Sequence, residues 1–214
     1  MSKAGTVARA ALRGVVEPTA RWLLRRGVSP DAVTVVGTVG AVAGAVVLVP
    51  TGHLFAGTLV VWFFVVMDML DGAMARQRGI SSPLGGVLDS VCDRISDGAL
   101  FAAISWWAGM NDRPLLSALA LFCLVAGQVV SYVKARAEAA GLRADGGLLE
   151  RTERLVIGLV GLGLTGLGVP YALDVALWLL AVGSLVTVAQ RLVAVTRSAR
   201  AHAAASGSED DDHP

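Results

Sequence analysis

Six long apolar segments constrain this chain more than any other feature of its sequence. A helix that crosses a bilayer needs roughly 20 mostly apolar residues. Six windows qualify, and they are Asp31–Val49, Phe55–Arg76, Pro83–Met110, Pro114–Ala137, Glu153–Val169 and Tyr171–Thr196. Only 16% of the residues are charged, whereas about a quarter is usual in soluble domains. The sequence therefore predicts an all-α polytopic membrane protein with six transmembrane helices.

The basic residues are distributed unevenly between the two sides of the predicted bundle. Sixteen of the eighteen Lys and Arg lie in the N-terminal segment, in the connections after the second and fourth spans, and at the end of the sixth span. Arg113 lies on the opposite side, and Arg94 lies inside the third span. Because positive residues remain on the cytoplasmic side, we expect both termini in the cytoplasm and the chain in the plasma membrane. An even number of spans agrees with this orientation.

The two ends of the chain differ in composition from the apolar part. Within residues 1–28, the stretch VARAALRGVVEPTARWLLRR predicts an amphipathic helix on an anionic membrane face, and a plain basic tail is the alternative. Residues 29–200 then form the membrane domain. Residues 201–214 are small, polar and acidic, with the run SEDDD, which predicts a disordered tail.

The second and third predicted spans carry five aspartates, Asp68, Asp71, Asp89, Asp93 and Asp97, of which the first four form two closely spaced pairs. A charged side chain at bilayer depth costs about 2.5–3.5 kcal/mol and usually marks a functional site. The spacings i,i+3 and i,i+4 place each pair on one helix face, and antiparallel spans bring both pairs to a similar depth. Carboxylate oxygens suit Mg²⁺, Ca²⁺ or Mn²⁺ rather than zinc. The alternative is a polar seam of protonated or arginine-paired carboxylates.

The four aspartates belong to a longer pattern of eight fixed residues. These are Asp68, Asp71, Gly72, Ala75 and Arg76, and then, after eight intervening residues, Gly85, Asp89 and Asp93. The pattern resembles the complete signature of the CDP-alcohol phosphatidyltransferase family. The resemblance implies six transmembrane helices after an amphipathic helix, a homodimer, and divalent cations near the cytoplasmic face. It also implies transfer of a phosphatidyl group from a CDP-linked lipid to an alcohol, with release of CMP.

The resemblance assigns roles to individual residues of the donor site. It implies that Asp68, Asp71, Asp89 and Asp93 bind the metal, which we expect to be two Mg²⁺ ions with Mn²⁺ as the alternative. Asp93 is also the expected catalytic base, taking the proton from the attacking hydroxyl. Contacts with CDP-diacylglycerol are implied for the stretch SPDAVT and for the signature region, at Asp31, Ala32, Val33, Thr34, Gly72, Arg76 and Ser82.

Cations near the cytoplasmic ends of the last three spans predict a pocket for the acceptor's phosphate. They are Lys134, Arg136, Arg154 and Arg191. Positive-inside topology with snorkelling side chains is the alternative explanation. The stretches CDRISDG, SYVKARAEAAGLR and ERTERL resemble family members that use 1L-myo-inositol 1-phosphate.

Two other functions remain open at this point. Glycerol 3-phosphate is the alternative acceptor, because it is also an anionic alcohol and would use the same metal site. An ion-coupled transporter is the alternative of a different class, since buried carboxylates can line an ion pathway. A transporter leaves the pattern of Gly72, Ala75 and Arg76 unexplained. We expect a lipid bilayer as partner and no nucleic acid.

Overall fold

The structure, a computed structural model, describes residues 16–78 and 83–209. The side chains of residues 68, 69, 78 and 203–209 lie outside that description. Every regular element in the described ranges is a helix, which confirms the all-α prediction. The helices are α1 (residues 16–25), α2 (Pro30–Leu48), α3 (Leu54–Arg78), α4 (Pro83–Met110), α5 (Pro114–Ala139), α6 (Arg151–Gly166) and α7 (Ala172–Glu209).

The chain divides into two units, and the boundary falls inside α4, between Ala103 and Ile104. In the first unit, α2 packs along α3 through small residues. A Cβ atom added at Gly40 would lie 2.3 Å from Cζ of Phe64, and one at Gly44 would lie 2.5 Å from Cγ1 of Val60. These two glycines therefore allow the helices to approach more closely than any larger residue would.

Helix α1 is anchored to the first unit by its apolar side. Ala20 is fully buried and forms a core cluster with Val33 of α2 and with Ala73 and Met74 of α3. Leu23 and Leu24 are packed against the same cluster. The remaining face of α1 carries exposed basic residues and Trp22, whose side chain is 54% exposed. The helix is therefore amphipathic, with its apolar side against the C-terminal part of α3.

In the second unit, α5 and α6 both pack against α7. Leu162, Leu173, Leu177 and Leu180 are fully buried in this unit. A Cβ atom added at Gly161 would lie 2.4 Å from Cβ of Ala176, so that α6 and α7 are also in close contact.

Four of the described helices are long and apolar enough to cross a membrane, and they are α2, α3, α5 and α7. Helix α4 has 28 residues but carries four charged residues between its N-terminus and its midpoint, Asp89, Asp93, Arg94 and, at the midpoint itself, Asp97. Helix α6 has 16 residues, about 24 Å of helix, and is therefore shorter than the bilayer core of about 30 Å. Four of the six predicted spans therefore meet both the length and the composition requirement.

Helix α6 ends at Gly166, three residues before its predicted limit at Val169. Gly168 follows with φ +86°, a left-handed conformation that glycine adopts without strain. The Val169 N–H then donates to the Leu164 carbonyl at 3.0 Å, which closes the helix end.

The structure differs from the predicted disorder at the C-terminus. Helix α7 continues to Glu209, so the backbone of residues 201–209 is helical. This part of the sequence is rich in alanine, the residue with the highest helix propensity. Residues 210–214, and residues 1–15 of the predicted N-terminal helix, lie outside the described ranges.

Candidate active site

The start of α2 brings the first predicted donor-site segment to the signature. The Ser29 side chain caps the helix by accepting a hydrogen bond from the Ala32 N–H at 3.2 Å, and Pro30 occupies the first turn. This start places Thr34 on the side of α2 that faces α3, where its hydroxyl donates a hydrogen bond to Oδ2 of Asp71. Thr34 and Asp71 are 5% and 7% exposed, respectively. Two motifs that are far apart in sequence therefore meet in one buried contact.

The other residues of the SPDAVT segment differ in their surroundings. Asp31 and Ala32 are exposed at the start of α2. Val33 is buried in the core cluster with Ala73 and Met74, so its side chain serves packing. Of the four predicted contacts in this segment, Thr34 has a side chain that contacts a signature aspartate, Asp71.

The aspartates of α4 follow one another at intervals of four residues and become progressively more buried. Asp89 is exposed, Asp93 is half-buried, and Asp97 is 6% exposed. The i,i+4 spacing places the three carboxylates on one face of the helix, as the sequence predicts. Asp97 lies outside the signature, yet it is the most buried of the three.

Two of the predicted donor-site residues on α3 touch each other. A Cβ atom added at Gly72 would lie 3.4 Å from Nη1 of Arg76, because the guanidinium lies alongside Gly72. Arg76 itself is exposed. The glycine therefore leaves room for the arginine side chain on the same helix face.

Some of the predicted ligands lie outside the described side chains. The backbone of Asp68 belongs to α3 but its side chain is not described, and Ser82 lies in the undescribed segment 79–82. Among the side chains that are described, no three acidic, histidine or cysteine groups come together as a metal site. The predicted metal ligands whose side chains are described, Asp71, Asp89 and Asp93, are all carboxylates, the ligand type that Mg²⁺ and Mn²⁺ prefer. A hydroxyl donor such as Thr34 also orients a ligating carboxylate. The residues present therefore fit a divalent cation.

The second unit holds two buried arginines among the predicted acceptor residues. Arg154, in the first turn of α6, is 3% exposed. Its guanidinium lies against α5, where a Cβ atom added at Gly127 would be 3.3 Å from Nε. The sequence analysis did not single out Gly127. A glycine inside an apolar helix is the only signal for it in the sequence, and that signal is weak by itself.

Arg191 of α7 connects three parts of the second unit. It is 5% exposed, and its Nη1 donates to the Val130 carbonyl at 2.6 Å, while its Nε donates to the Gly146 carbonyl at 3.1 Å. Removing a charged group from water is costly unless hydrogen bonds compensate for it. The guanidinium groups of Arg154 and Arg191 are therefore both enclosed by the protein rather than exposed at its surface.

The connection between α5 and α6 is held against α7 by further hydrogen bonds. The Leu148 N–H donates to Oε1 of Gln190 at 2.9 Å, and the Leu149 N–H donates to Oγ1 of Thr187 at 3.0 Å. Gly147 has φ +146°, and an added Cβ atom would lie 2.6 Å from Cγ2 of Thr187. Only glycine fits this conformation and this space.

The other two predicted acceptor residues are much less buried. Arg136 is exposed near the end of α5. Lys134 is about half exposed, and its Nζ lies 3.9 Å from Oε1 of Glu138, one turn along the helix. The four predicted cations thus form two groups: Arg154 and Arg191 are buried, while Lys134 and Arg136 extend towards the surface.

Comparison with known proteins supports the resemblance found in the sequence. The model of the CDP-alcohol phosphatidyltransferase family matches residues 27–189. The phosphatidylinositol phosphate synthase of Mycobacterium marinum is 58% identical over 203 residues, which cover 92% of this chain and 86% of that protein.

Two crystal structures of the phosphatidylinositol phosphate synthase of Mycobacterium tuberculosis have a similar fold, and both are 56% identical in sequence. The complex with manganese and citrate matches with a TM-score of 0.83, over 86% of this chain and 90% of that one. The complex with CDP-DAG matches with a TM-score of 0.81, over 85% and 93%. The family match spans most of the chain and includes all eight residues of the signature. This chain therefore belongs to the CDP-alcohol phosphatidyltransferase family.

Proposed function

We propose that this chain transfers the phosphatidyl group of CDP-diacylglycerol to 1L-myo-inositol 1-phosphate, giving phosphatidylinositol phosphate and CMP. The observation that carries the proposal is the 58% identity with a phosphatidylinositol phosphate synthase over 92% of the chain. The complete signature from Asp68 to Asp93 supports the same chemistry. A related enzyme, 56% identical, has been crystallised with CDP-DAG bound, which supports the choice of donor.

A divalent cation is part of the proposed site. We expect two ions, either Mg²⁺ or Mn²⁺, and the residues that would hold them are Asp68, Asp71, Asp89 and Asp93. The related enzyme crystallised with manganese supports a divalent cation. When bound, the metal would neutralise charge on the pyrophosphate and on the departing CMP. The hydrogen bond from Thr34 supports a role for Asp71, because it fixes the carboxylate of this buried residue.

The chain's own residues supply the remaining functions at the donor. Asp93 takes the proton from the acceptor's hydroxyl as that oxygen attacks the phosphorus that carries diacylglycerol. A new P–O bond forms to the acceptor, and the bond to the CMP oxygen breaks. Thr34, Gly72 and Arg76 bind the donor, with Asp31, Ala32, Val33 and Ser82 also predicted to contact it. Arg76 is the cation of this group, and a guanidinium is suited to phosphate oxygens.

The phosphate of the acceptor binds to the cations of the second unit. Arg154 and Arg191 are buried, and a buried positive charge favours an anionic ligand. Lys134 and Arg136 add positive charge at the end of α5. An acceptor with its own phosphate uses these charges, whereas free inositol would not. Glycerol 3-phosphate would use them as well, so it remains the rival acceptor.

The proposed enzyme is a homodimer with six spans in the plasma membrane, and with both termini on the cytoplasmic side. Helix α4 crosses the bilayer in spite of its charged residues, because these belong to the site rather than to the lipid-facing surface. The amphipathic character of α1 supports a position at the membrane surface, as part of an interfacial segment 1–28. The membrane domain is residues 29–200, which the family match at 27–189 supports, and residues 201–214 form the tail.

The decisive experiment measures CMP release by the purified protein with CDP-diacylglycerol and Mg²⁺. Inositol 1-phosphate, glycerol 3-phosphate and free inositol are offered separately. We expect turnover with inositol 1-phosphate alone. Turnover with glycerol 3-phosphate instead would keep the chemistry and reject the acceptor, while no turnover with any of the three would count against the proposed reaction.

Replacing Asp93 with Asn separates catalysis from binding. The variant should bind CDP-diacylglycerol and release little or no CMP, because the amide cannot accept the proton from the hydroxyl. Asp112→Asn is the matched control, since Asp112 is exposed in the α4–α5 connection, and its φ of 55° suits asparagine. Equal turnover by both variants would exclude Asp93 as the base.

A further inference from the structure

A cavity of about 620 Å³ lies between α1 and the C-terminal part of α3, within the first unit. Residues of α1 form one wall and residues of α3 form the other. The cavity is lined by Glu17, Arg21, Leu24, Arg25, Ala73, Arg76 and Gln77. Of these residues, only Arg76 belongs to the proposed donor site, so most of the cavity has no assigned role.

The cavity combines three guanidinium groups with one carboxylate. Arg21 and Arg25 are one turn apart on α1, and Arg76 comes from α3. Among the side chains that the structure describes, none forms an ion pair with any of these three arginines. Glu17 lines the same space, so the charges amount to three positive and one negative. Positive charge therefore prevails, and guanidinium groups match the geometry of phosphate oxygens.

The shape of the cavity is maintained by contacts of its own walls. Ala20, Leu23 and Leu24 hold α1 against Ala73 and Met74. Nε2 of Gln77 also donates a hydrogen bond to the Glu17 carbonyl at 3.2 Å. The α1 arginines are therefore carried by a docked helix, and the site does not have to assemble when its ligand binds.

The position of the cavity favours a lipid as the source of the phosphate. Helix α3 is one of the helices that can span a membrane, and the cavity lies near its C-terminal end. Trp22, exposed on the same helix as the cavity's arginines, is the type of residue that is enriched at the membrane–water interface. Leu24 and Ala73 add apolar surface to the lining. A headgroup phosphate would lie at this level, with its acyl chains in the adjoining bilayer.

We propose that this α1–α3 cavity binds the phosphate of a lipid headgroup, with Arg21 and Arg25 as its principal ligands. The lipid is either an anionic phospholipid of the membrane or the donor CDP-diacylglycerol, whose phosphates would then extend past Arg76 towards α1. The chemistry is the same in both cases. Binding here does not depend on the transfer reaction, and so it can be tested without any turnover.

The test measures lipid binding to the purified full-length protein in detergent by native mass spectrometry. Short-chain phosphatidylglycerol, short-chain CDP-diacylglycerol and inorganic phosphate are titrated separately. The variants are Arg25→Gln, Arg21→Gln and, as the matched control, Arg26→Gln. Arg26 follows Arg25 directly and is exposed, but its guanidinium lies 5.0 Å from the centre of the Trp22 ring and does not line the cavity. All three substitutions remove one positive charge, so a folding defect or a general charge effect would also appear in the control.

We expect Arg25→Gln and Arg21→Gln each to weaken lipid binding about tenfold, and Arg26→Gln to leave it within about twofold. If Arg21→Gln and Arg25→Gln bind phosphatidylglycerol more weakly, the ligand is a phospholipid of the membrane. If they bind only CDP-diacylglycerol more weakly, the ligand is the donor. Either result supports the lipid-phosphate site. The proposal would be overturned if binding weakened equally in all three variants or in none of them. It would also be overturned if only the binding of inorganic phosphate weakened.

Discussion

Replacing Thr34 with Val tests whether the contact between α2 and Asp71 matters for activity. Valine has nearly the shape of threonine but lacks the hydroxyl that donates to the Asp71 carboxylate. Because Asp71 is buried, with 7% of its surface exposed, water cannot readily replace the lost donor. We therefore expect the carboxylate to lose its fixed orientation at the metal site.

The size of the effect follows from the type of hydrogen bond. A hydrogen bond to a charged group contributes about 1.5–3 kcal/mol. If that whole contribution is lost in the transition state, kcat/KM with CDP-diacylglycerol falls roughly 10- to 150-fold. The hydroxyl also lies 3.2 Å from the Pro30 carbonyl, but that carbonyl is at the start of α2, where it also serves the helix backbone. Most of the loss should therefore come from Asp71.

Two companion variants isolate the hydroxyl. Thr38→Val makes the same substitution one turn further along α2, where the hydroxyl donates to the Thr34 carbonyl at 2.9 Å. Thr34→Ser retains the donor and removes only a methyl group. CMP release should fall in Thr34→Val and remain within about threefold of the parent in the other two. Equal activity of Thr34→Val and Thr38→Val would refute the reasoning, and a loss in Thr34→Ser as large as in Thr34→Val would assign the effect to packing.

Three further predictions concern the metal and the second unit. Treatment with EDTA should abolish CMP release, and Mg²⁺ or Mn²⁺ should restore it; full activity after chelation would contradict a metal role for the aspartates. Gly147→Ala should destabilise the protein by about 2–6 kcal/mol, from a backbone conformation reserved for glycine and from overlap with Thr187. Gly141→Ala is the control, because Gly141 has φ +70° but lies in open space, and it should cost only about 1–2 kcal/mol. Thermal unfolding in detergent measures both variants, and similar decreases in their unfolding temperatures would show that the Thr187 contact is unimportant. Arg191→Lys should raise the KM for the acceptor about tenfold, because an ammonium group cannot donate to the Val130 and Gly146 carbonyls in the same paired geometry. Arg197→Lys, an exposed change on the same helix, should leave that KM unaltered.

The helices could be predicted largely from the apolar segments. The third predicted span, Pro83–Met110, has the same limits as α4, because proline favours the first turn of a helix. Helix α6 was less predictable, since its end depends on Gly168 in a left-handed conformation rather than on hydropathy. Disorder was predicted for residues 201–214 from their small, polar and acidic composition. In the structure, α7 continues through the alanines of this segment to Glu209. Hydropathy alone therefore located the helices better than it located their ends.

The sequence by itself determined the chemistry, because helix geometry converts spacing into shared faces. Asp89 and Asp93 lie on one face of α4 whatever surrounds that helix. Carboxylates in apolar segments already indicate a functional site, and the resemblance of the whole signature implied a CDP-linked lipid as the substrate. The tertiary structure alone decided which residues meet across helices. It paired Thr34 with Asp71, and it buried Arg154 against Gly127 while Arg136 remained exposed. Spacing fixes neighbours within a helix, but the packing of one helix on another selects the partner, and here that selection depends on where a glycine leaves room for a larger side chain.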